Sequence, residues 1–168
     1  LPAFAITFIL KWLIVGKYRK AELPMWTLQV WLTEAVTSLY ESLAIPYFLD
    51  FLQGTIFLPF FLKLLGVKIG KKVFLDTTDF TEFDLVSIGD YACLNHDSGP
   101  QTHLFEDRIM KMGPVIIDSN VTIGAGTIIL YDSIIARNTK IDSLSLVMKG
   151  DRVPANSNWE GIPIRKCN

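Results

Sequence analysis

The chain is sparing with the residues that most often carry chemistry. It has two histidines, two cysteines and no surplus of positive charge among its 168 residues. Cys93 and Cys167 form neither a CxxC pair nor a zinc-ligand spacing, which argues against a disulfide scaffold and a zinc site. Cys93 reads as a small buried hydrophobe rather than a reactive thiol. A net charge of −1 offers no basic face for nucleic acid. No GxSxG elbow and no recognisable Cys-His pairing is present, which fits chemistry without a covalent enzyme intermediate. No cluster of metal ligands stands out, and no metal is expected.

Hydrophobic residues, by contrast, make up 50% of the chain, and their arrangement changes near Gly66. Ahead of it, Leu1 to Leu10 carries no charge, Lys11 interrupts, and Trp12 to Gly16 continues before the basic Lys17, Arg19 and Lys20. That run is too short to span a bilayer alone. The expectation is a fragment that begins inside a membrane helix, with the basic cluster on the cytoplasmic side. Beyond Pro24, Leu28, Leu32, Ala35 or Val36, Leu39 and Leu43 fall on one helical face, with Glu34, Ser38, Glu41 and Ser42 elsewhere. Leu43 to Leu65 is long enough to span but is broken by Pro46, Asp50, Gln53, Gly54, Pro59 and Lys63. Residues 1–66 therefore read as membrane-associated helices lying at the interface or against other membrane segments. A soluble helical subdomain with an apolar face is the alternative.

Residues 67–168 follow a period of six. Ile117, Ile123, Ile129, Ile135, Ile141, Val147, Val153 and Trp159 succeed one another at that interval. Four places after each stands Val121, Thr127, Ser133, Thr139, Ser145, Asp151, Ser157 or Pro163, mostly small or β-branched. The pairs Ile69 with Val73, Leu75 with Asp79, Ile88 with Ala92 and Leu94 with Ser98 repeat the grammar. Neither an amphipathic helix nor a simple hairpin sheet keeps one aliphatic in six. The expected fold is mainly β, a single-stranded parallel β-helix whose triangular coils take about eighteen residues each. Gly70, Asp76, Gly89, Asn95, Asp118 and Gly124 are placed near its bends. One coil cannot bury its own apolar side, so stability comes from stacking, with Trp159 as a cap on the open end.

The frame is lost between Leu94 and Ile117. The interruption, Asn95 to Arg108, is read as a loop projecting from one face, and both histidines, His96 and His103, are assigned to it. Three carboxylates (Asp97, Glu106, Asp107) and Arg108 stand near them in sequence.

Three pieces near the C-terminus carry a resemblance: Val115-Ile116-Ile117-Asp118, Ile123-Gly124-Ala125-Gly126 and Gly161-Ile162-Pro163-Ile164-Arg165-Lys166. Together they look like the closing coils of the hexapeptide O- and N-acetyltransferases. That superfamily implies a left-handed coil, which the spacing alone does not give because crossovers are normally right-handed. It also implies a loop histidine as general base, in the place of His103. A narrower likeness covers nearly the whole chain. Gln101-Thr102-His103-Leu104-Phe105-Glu106-Asp107-Arg108 with Met110-Lys111, Leu146-Val147-Met148-Lys149-Gly150, Lys11-Trp12-Leu13, and Gly54-Thr55 to Leu65-Gly66 resemble the terminal region of ε-poly-lysine-synthetase-type nonribosomal peptide synthetases. The resemblance implies acyl transfer from a thioester to an amine. The donor would be a carrier protein's phosphopantetheine or an acyl-CoA, with no cofactor bound tightly. The partners would be the carrier domain and tandem acyltransferase-like domains, or a homotrimer at a membrane.

On this reading His103 takes the acceptor's proton, Glu106 or Asp107 orients the ring, and His96 is a second candidate. Arg108 and Lys111 are candidates for a phosphopantetheine phosphate. Gly124 and Gly126 would let backbone N–H groups approach the donor. Each has a plainer rival: a surface histidine for His103, a turn or cap for His96, and a solvated salt bridge for Glu106-Asp107-Arg108. Gly124 and Gly126 also serve as coil corners. Two other functions stay open, a standalone acetyl-CoA-dependent O- or N-acetyltransferase and a non-catalytic scaffold copy in a tandem array.

Overall fold

A computed structural model describes residues 1–167. Three parallel sheets form the sides of a triangular prism. One side stacks β2 (Lys68–Ile69), β4 (Val86–Ile88), β9 (Val115–Ile117), β12 (Ile134–Ile135) and β15 (Arg152–Val153). The next stacks β3 (Phe74–Leu75), β5 (Cys93–Leu94), β10 (Thr122–Ile123), β13 (Lys140–Ile141) and β16 (Asn158–Glu160), and β17 (Arg165–Lys166) closes it antiparallel to β16. The third has β6 (Gly99–Gln101), β11 (Ile128–Leu130) and β14 (Leu146–Val147). The register places like on like: Leu94, Ile123 and Ile141 in one column, Ile117, Ile135 and Val153 in another. All are buried, as the six-residue period demands. Trp159 and Ile164 pack on the far end of this core.

The corners differ from the expectation. The residue with positive φ lies three places after each inward aliphatic: Asn120, Gly126, Asp132, Asn138, Leu144, Gly150 and Asn156. Asn, Asp and Gly dominate because they tolerate the left-handed region. The glycines one place after the aliphatic have another cause. A Cβ on Gly124 would fall 2.3 Å from the backbone nitrogen of Ser143, and one on Gly89 2.5 Å from that of Ser119, so the next coil leaves no room. The small residues at the fourth place are tied between coils. Thr127 Oγ1 donates to Asp142 O at 2.9 Å, Ser133 Oγ to Met148 O at 2.9 Å and Thr139 Oγ1 to Pro154 O at 3.0 Å. Those bonds satisfy hydroxyls that would otherwise be buried alone.

A helical layer covers the first coil. It comprises α1 (Pro2–Leu10, continued as a wider π-turn to Val15), α2 (Leu28–Leu39, likewise widened through Tyr40–Leu49 around Pro46) and α3 (Leu58–Leu65). Leu58, Leu62 and Leu65 of α3 are buried against β2, β3 and the turn Phe83–Leu85. Phe4 of α1 meets Phe61 edge-on with centroids 5.0 Å apart. Lys11, expected to interrupt a membrane run, is instead buried and paired with Asp84 at 2.8 Å. No helix among the described residues is long and apolar enough to cross a membrane. The face that α2 buries is also not the leucine stripe. Val30, Thr33, Val36 and Tyr40 point inward, while Leu28 and Leu32 are exposed, because the Tyr40 hydroxyl reaches Thr78 O (2.8 Å) and its ring meets Phe83 edge-on.

Candidate active site

The interruption of the coil is shorter than the sequence suggests. β6 still occupies its side, with Pro100 in the register of Ile129, so the departure begins only after Gln101. Proline at an inward position hid that hexad. Beyond it, β7 (His103–Glu106) and β8 (Ile109–Met112) form a hairpin whose tip, Asp107 and Arg108, has φ of 52° and 65°, the signs a tight primed turn requires. A strand from the N-terminal region, β1 (Ala21–Pro24), pairs antiparallel with β8 and makes a three-stranded sheet standing off the prism. His96 is therefore not in the projecting segment. It sits in the corner between β5 and β6, its Nε2 3.4 Å from Asp97 and Nδ1 3.8 Å from Asp76, mostly exposed.

His103 opens the hairpin and is 8% exposed. Its Nδ1 lies 2.9 Å from Glu82 Oε2. An ionised carboxylate can only accept, so Nδ1 carries the hydrogen, and in the neutral ring Nε2 keeps the lone pair. That tautomer is the one a general base needs. Glu82, whose side chain is fully buried, is held in turn by two hydroxyls. Thr102 Oγ1 donates to Oε2 at 2.7 Å and Thr81 Oγ1 at 2.9 Å, while the Glu82 N–H donates to Thr102 Oγ1 at 3.2 Å. Burial pushes the Glu82 carboxyl up, but the His103 bond and charge and the hydroxyl bonds outweigh it and hold the pKa below the usual carboxylate value. Burial likewise pulls His103 down, and the Glu82 bond and charge, with Glu34 and Glu41 behind them, lift it above the usual histidine value.

Glu82 thus takes the place expected of Glu106 or Asp107. The reason is the pleat. Glu106 is three residues on and so points to the opposite face of β7 from His103, where its carboxylate engages Lys111 at 3.2 Å and Lys149, with the Tyr131 hydroxyl 3.4 Å away. Those two lysines hold the Glu106 pKa low. Lys111 is accordingly already paired. Arg108 is exposed at the hairpin tip, where its carbonyl accepts the Met25 N–H at 2.9 Å. Gly126, with positive φ, lies at a coil corner beneath the Leu144 side chain, and Gly124 lies against the backbone of Ser143.

A pocket of about 480 Å³ lies between α2 and the hairpin. Phe105, whose ring stands edge-on to His103 at 5.5 Å, and Glu34 both line it. Glu82 escaped the sequence reading, though a signal existed. Ile69 pairs with Ile88, nineteen positions on, whereas Ile117 pairs with Ile135, eighteen on. The extra residue falls in the first coil, on the side that carries Thr81 and Glu82. The fold also assembles Asp142, Glu160 and Cys167 within 4.8 Å at the far end of the prism, where Lys140 pairs with Asp142 at 2.8 Å.

A scan against protein families finds no match. Over 160 residues, 95% of the chain, the sequence is 55% identical to Delta-poly-L-ornithine synthetase of Acinetobacter baumannii (strain AB307-0294). The chain spans 12% of the length of that synthetase. Among solved structures, a hexapeptide-repeat-containing acetyltransferase from Vibrio cholerae superposes with a TM-score of 0.51 at 15% identity, over 99% of this chain and 90% of that one. A point mutant of AntD, an N-acyltransferase from Bacillus cereus in complex with dTDP and coenzyme A, superposes with a TM-score of 0.52 at 17% identity, over 61% of this chain and 73% of that one.

Proposed function

On the premise that this chain has the hexapeptide-repeat acyltransferase fold and is kin, over almost its whole length, to a segment of a Delta-poly-L-ornithine synthetase, we propose that it is an acyltransferase that joins a thioester-bound acyl group to an amine. The observation that carries the reading is the buried His103–Glu82 pair, which fixes the tautomer with Nε2 free to accept a proton. The amine nitrogen attacks the thioester carbonyl, and Nε2 of His103 takes the proton that the nitrogen sheds. As the C–S bond breaks, the proton passes to sulfur, leaving an amide and a free thiol. Glu82 is a positioning residue: it stays ionised and steadies the imidazolium that forms midway.

The donor is a coenzyme A or carrier-protein phosphopantetheine thioester, with Arg108 as the cation available to its phosphate. Hexapeptide enzymes commonly complete their sites between copies, so a homotrimer or tandem domains supply the remaining wall. The helical layer exposes Tyr47, Phe51, Ile56, Phe57 and Phe60, with Lys63, Lys71 and Lys72 beside the last of these. Aromatic side chains rimmed by lysines suit an interfacial seat on a membrane, with the prism on the cytoplasmic side.

The test is thiol release and amide formation by the intact protein given an aminoacyl thioester and a primary amine. His103→Ala is expected to lower kcat by about 10²- to 10⁴-fold while the protein still folds. Amide formation at the wild-type rate would remove His103 from the mechanism and leave the scaffold reading.

A further inference from the structure

Around the histidine pair, three buried polar atoms have no hydrogen-bond partner among the described residues: Oε1 of Glu82, Oε1 of Glu34 and the hydroxyl of Tyr18. They come from three separate parts of the chain. Glu82 belongs to the first coil, Glu34 to α2, and Tyr18 to the segment that leads into β1. Tyr18 is 5% exposed, and its contacts lie just beyond Glu82 in the chain. Its backbone N–H donates to Asp84 Oδ2 at 3.0 Å, and its ring tilts against Phe83 with centroids 6.4 Å apart. Lys11 Nζ, 5.5 Å from the centre of the Tyr18 ring, is already paired with Asp84. The three orphan groups also feel one another. Burial pushes the Tyr18 phenol up, and the Glu82, Asp84 and Glu34 charges add to it. Burial likewise raises the Glu34 carboxyl; the His103 charge opposes that, and Glu82 and Glu41 reinforce it.

The bonding capacities of the three match one water. Tyr18 has a single hydrogen to give and each carboxylate oxygen has only lone pairs, while a water gives two hydrogens and accepts the third. Buried waters occupy places where two to four polar groups would otherwise go unpaired, and an unpaired group costs free energy. We infer that Tyr18 is a positioning residue of the site: through one ordered water shared with Glu34, its hydroxyl holds Oε1 of Glu82. Oε2 already carries His103, Thr81 and Thr102. With Oε1 held as well, the carboxylate is fixed against rotation, and the Nδ1–H of His103 keeps its acceptor throughout the reaction. The same water joins the N-terminal segment and α2 to the first coil, at the carboxylate on which the histidine depends. The part this plays in catalysis rests on the acyl-transfer reading; the bridge itself does not.

Thermal unfolding of the intact protein gives the two possibilities opposite signs. If the Tyr18 hydroxyl is buried and unpaired, Tyr18→Phe removes a penalty and leaves Tm unchanged or higher. If it is bridged, Tyr18→Phe is expected to lower Tm by about 2–6 °C while the ring keeps its packing on Phe83. In the Glu82→Gln background an amide NH2 replaces Oε1 and itself donates to the water, so that loss should shrink to about half or less. In the acyl-transfer assay, Tyr18→Phe should lower kcat about tenfold with KM for donor and amine unchanged. A crystal structure should show one water within hydrogen-bonding distance of all three atoms. An unchanged or raised Tm in Tyr18→Phe, losses that add in the double variant, or the three atoms bonded to one another with no water between them overturns the inference. So does a kcat within about twofold of wild type. Coupled losses of Tm in a protein whose wild type shows no acyl transfer keep the bridge and overturn the acyl-transfer reading instead.

Discussion

Replacing Glu82 by glutamine separates geometry from charge at the histidine. Glutamine can keep its carbonyl oxygen where Oε2 stands, still accepting from Thr81, Thr102 and the Nδ1–H of His103. The ring then stays oriented and the negative charge 2.9 Å away is gone, while the amide NH2 takes the place of Oε1, which is buried without a partner among the described residues. In the transition state the imidazole becomes an imidazolium, and that charge is what steadies it. A charge-assisted bond is worth about 1–1.5 kcal/mol more than a neutral one, and the Coulomb attraction near an effective dielectric of 20 is up to about 4 kcal/mol. These overlap, so the expected loss is about 2–4 kcal/mol, roughly 30- to 1000-fold in kcat. Single-turnover amide formation measures it, with thermal melting as the control for folding. The acidic limb of the pH–rate profile gives a second readout. Since Glu82 holds the His103 pKa up, Glu82→Gln should move that limb to lower pH even as the plateau falls. A variant within threefold of wild type, with an unmoved limb, would refute the role given to Glu82.

The inward columns predict a contrast between neighbours on one face of the coil and the other. Ile123→Ala, at a fully buried site between Leu94 and Ile141, should cost about 2–5 kcal/mol in urea unfolding, whereas Ile128→Ala, 45% exposed, should stay within about 0.5 kcal/mol; equal costs would contradict the register. Stability should also follow pH through the histidine pair. The raised His103 pKa makes its contribution complete below the unfolded value of 6.5 and lost as pH rises through the folded one; the lowered Glu82 pKa makes its contribution complete above 4.5 and lost as pH falls through its folded value. Urea midpoints are expected to be highest between those values and to decline on the alkaline side, a decline that Glu82→Gln should flatten. Equal alkaline slopes in the two proteins would count against the pair.

The prism was legible because its period is enforced at every coil: an aliphatic that missed the interior would break a column of contacts. The register of Ile117, Ile135 and Val153 follows directly from their spacing in the chain. The corners were misplaced by two residues, since a glycine under a neighbouring backbone looks the same in sequence as a glycine at positive φ. Pro100 concealed the last hexad before the hairpin, and that moved His96 into a loop where it does not lie. The helical layer was harder still. Leu28 and Leu32 make the more apolar stripe, yet tertiary contacts at Tyr40 and Val30 decide which way α2 faces, leaving leucines outside. Glu82 could not be paired with His103 from local sequence, because a contact across stacked coils joins residues about one turn of the prism apart.

The pairing of β1 with β8 bears on how such a site can change over generations. A loop that leaves a repeat protein is ordinarily free to lengthen and shorten. Here Ala21 to Pro24 are matched residue for residue with Met112 to Ile109. A single insertion within either strand would reverse the faces of everything beyond it. The turn residues Asp107 and Arg108 can vary in identity, provided a positive φ is tolerated. Descendants of this chain should therefore differ by substitution at the tip and by whole coils added or lost after β11, while the length of the hairpin stays fixed.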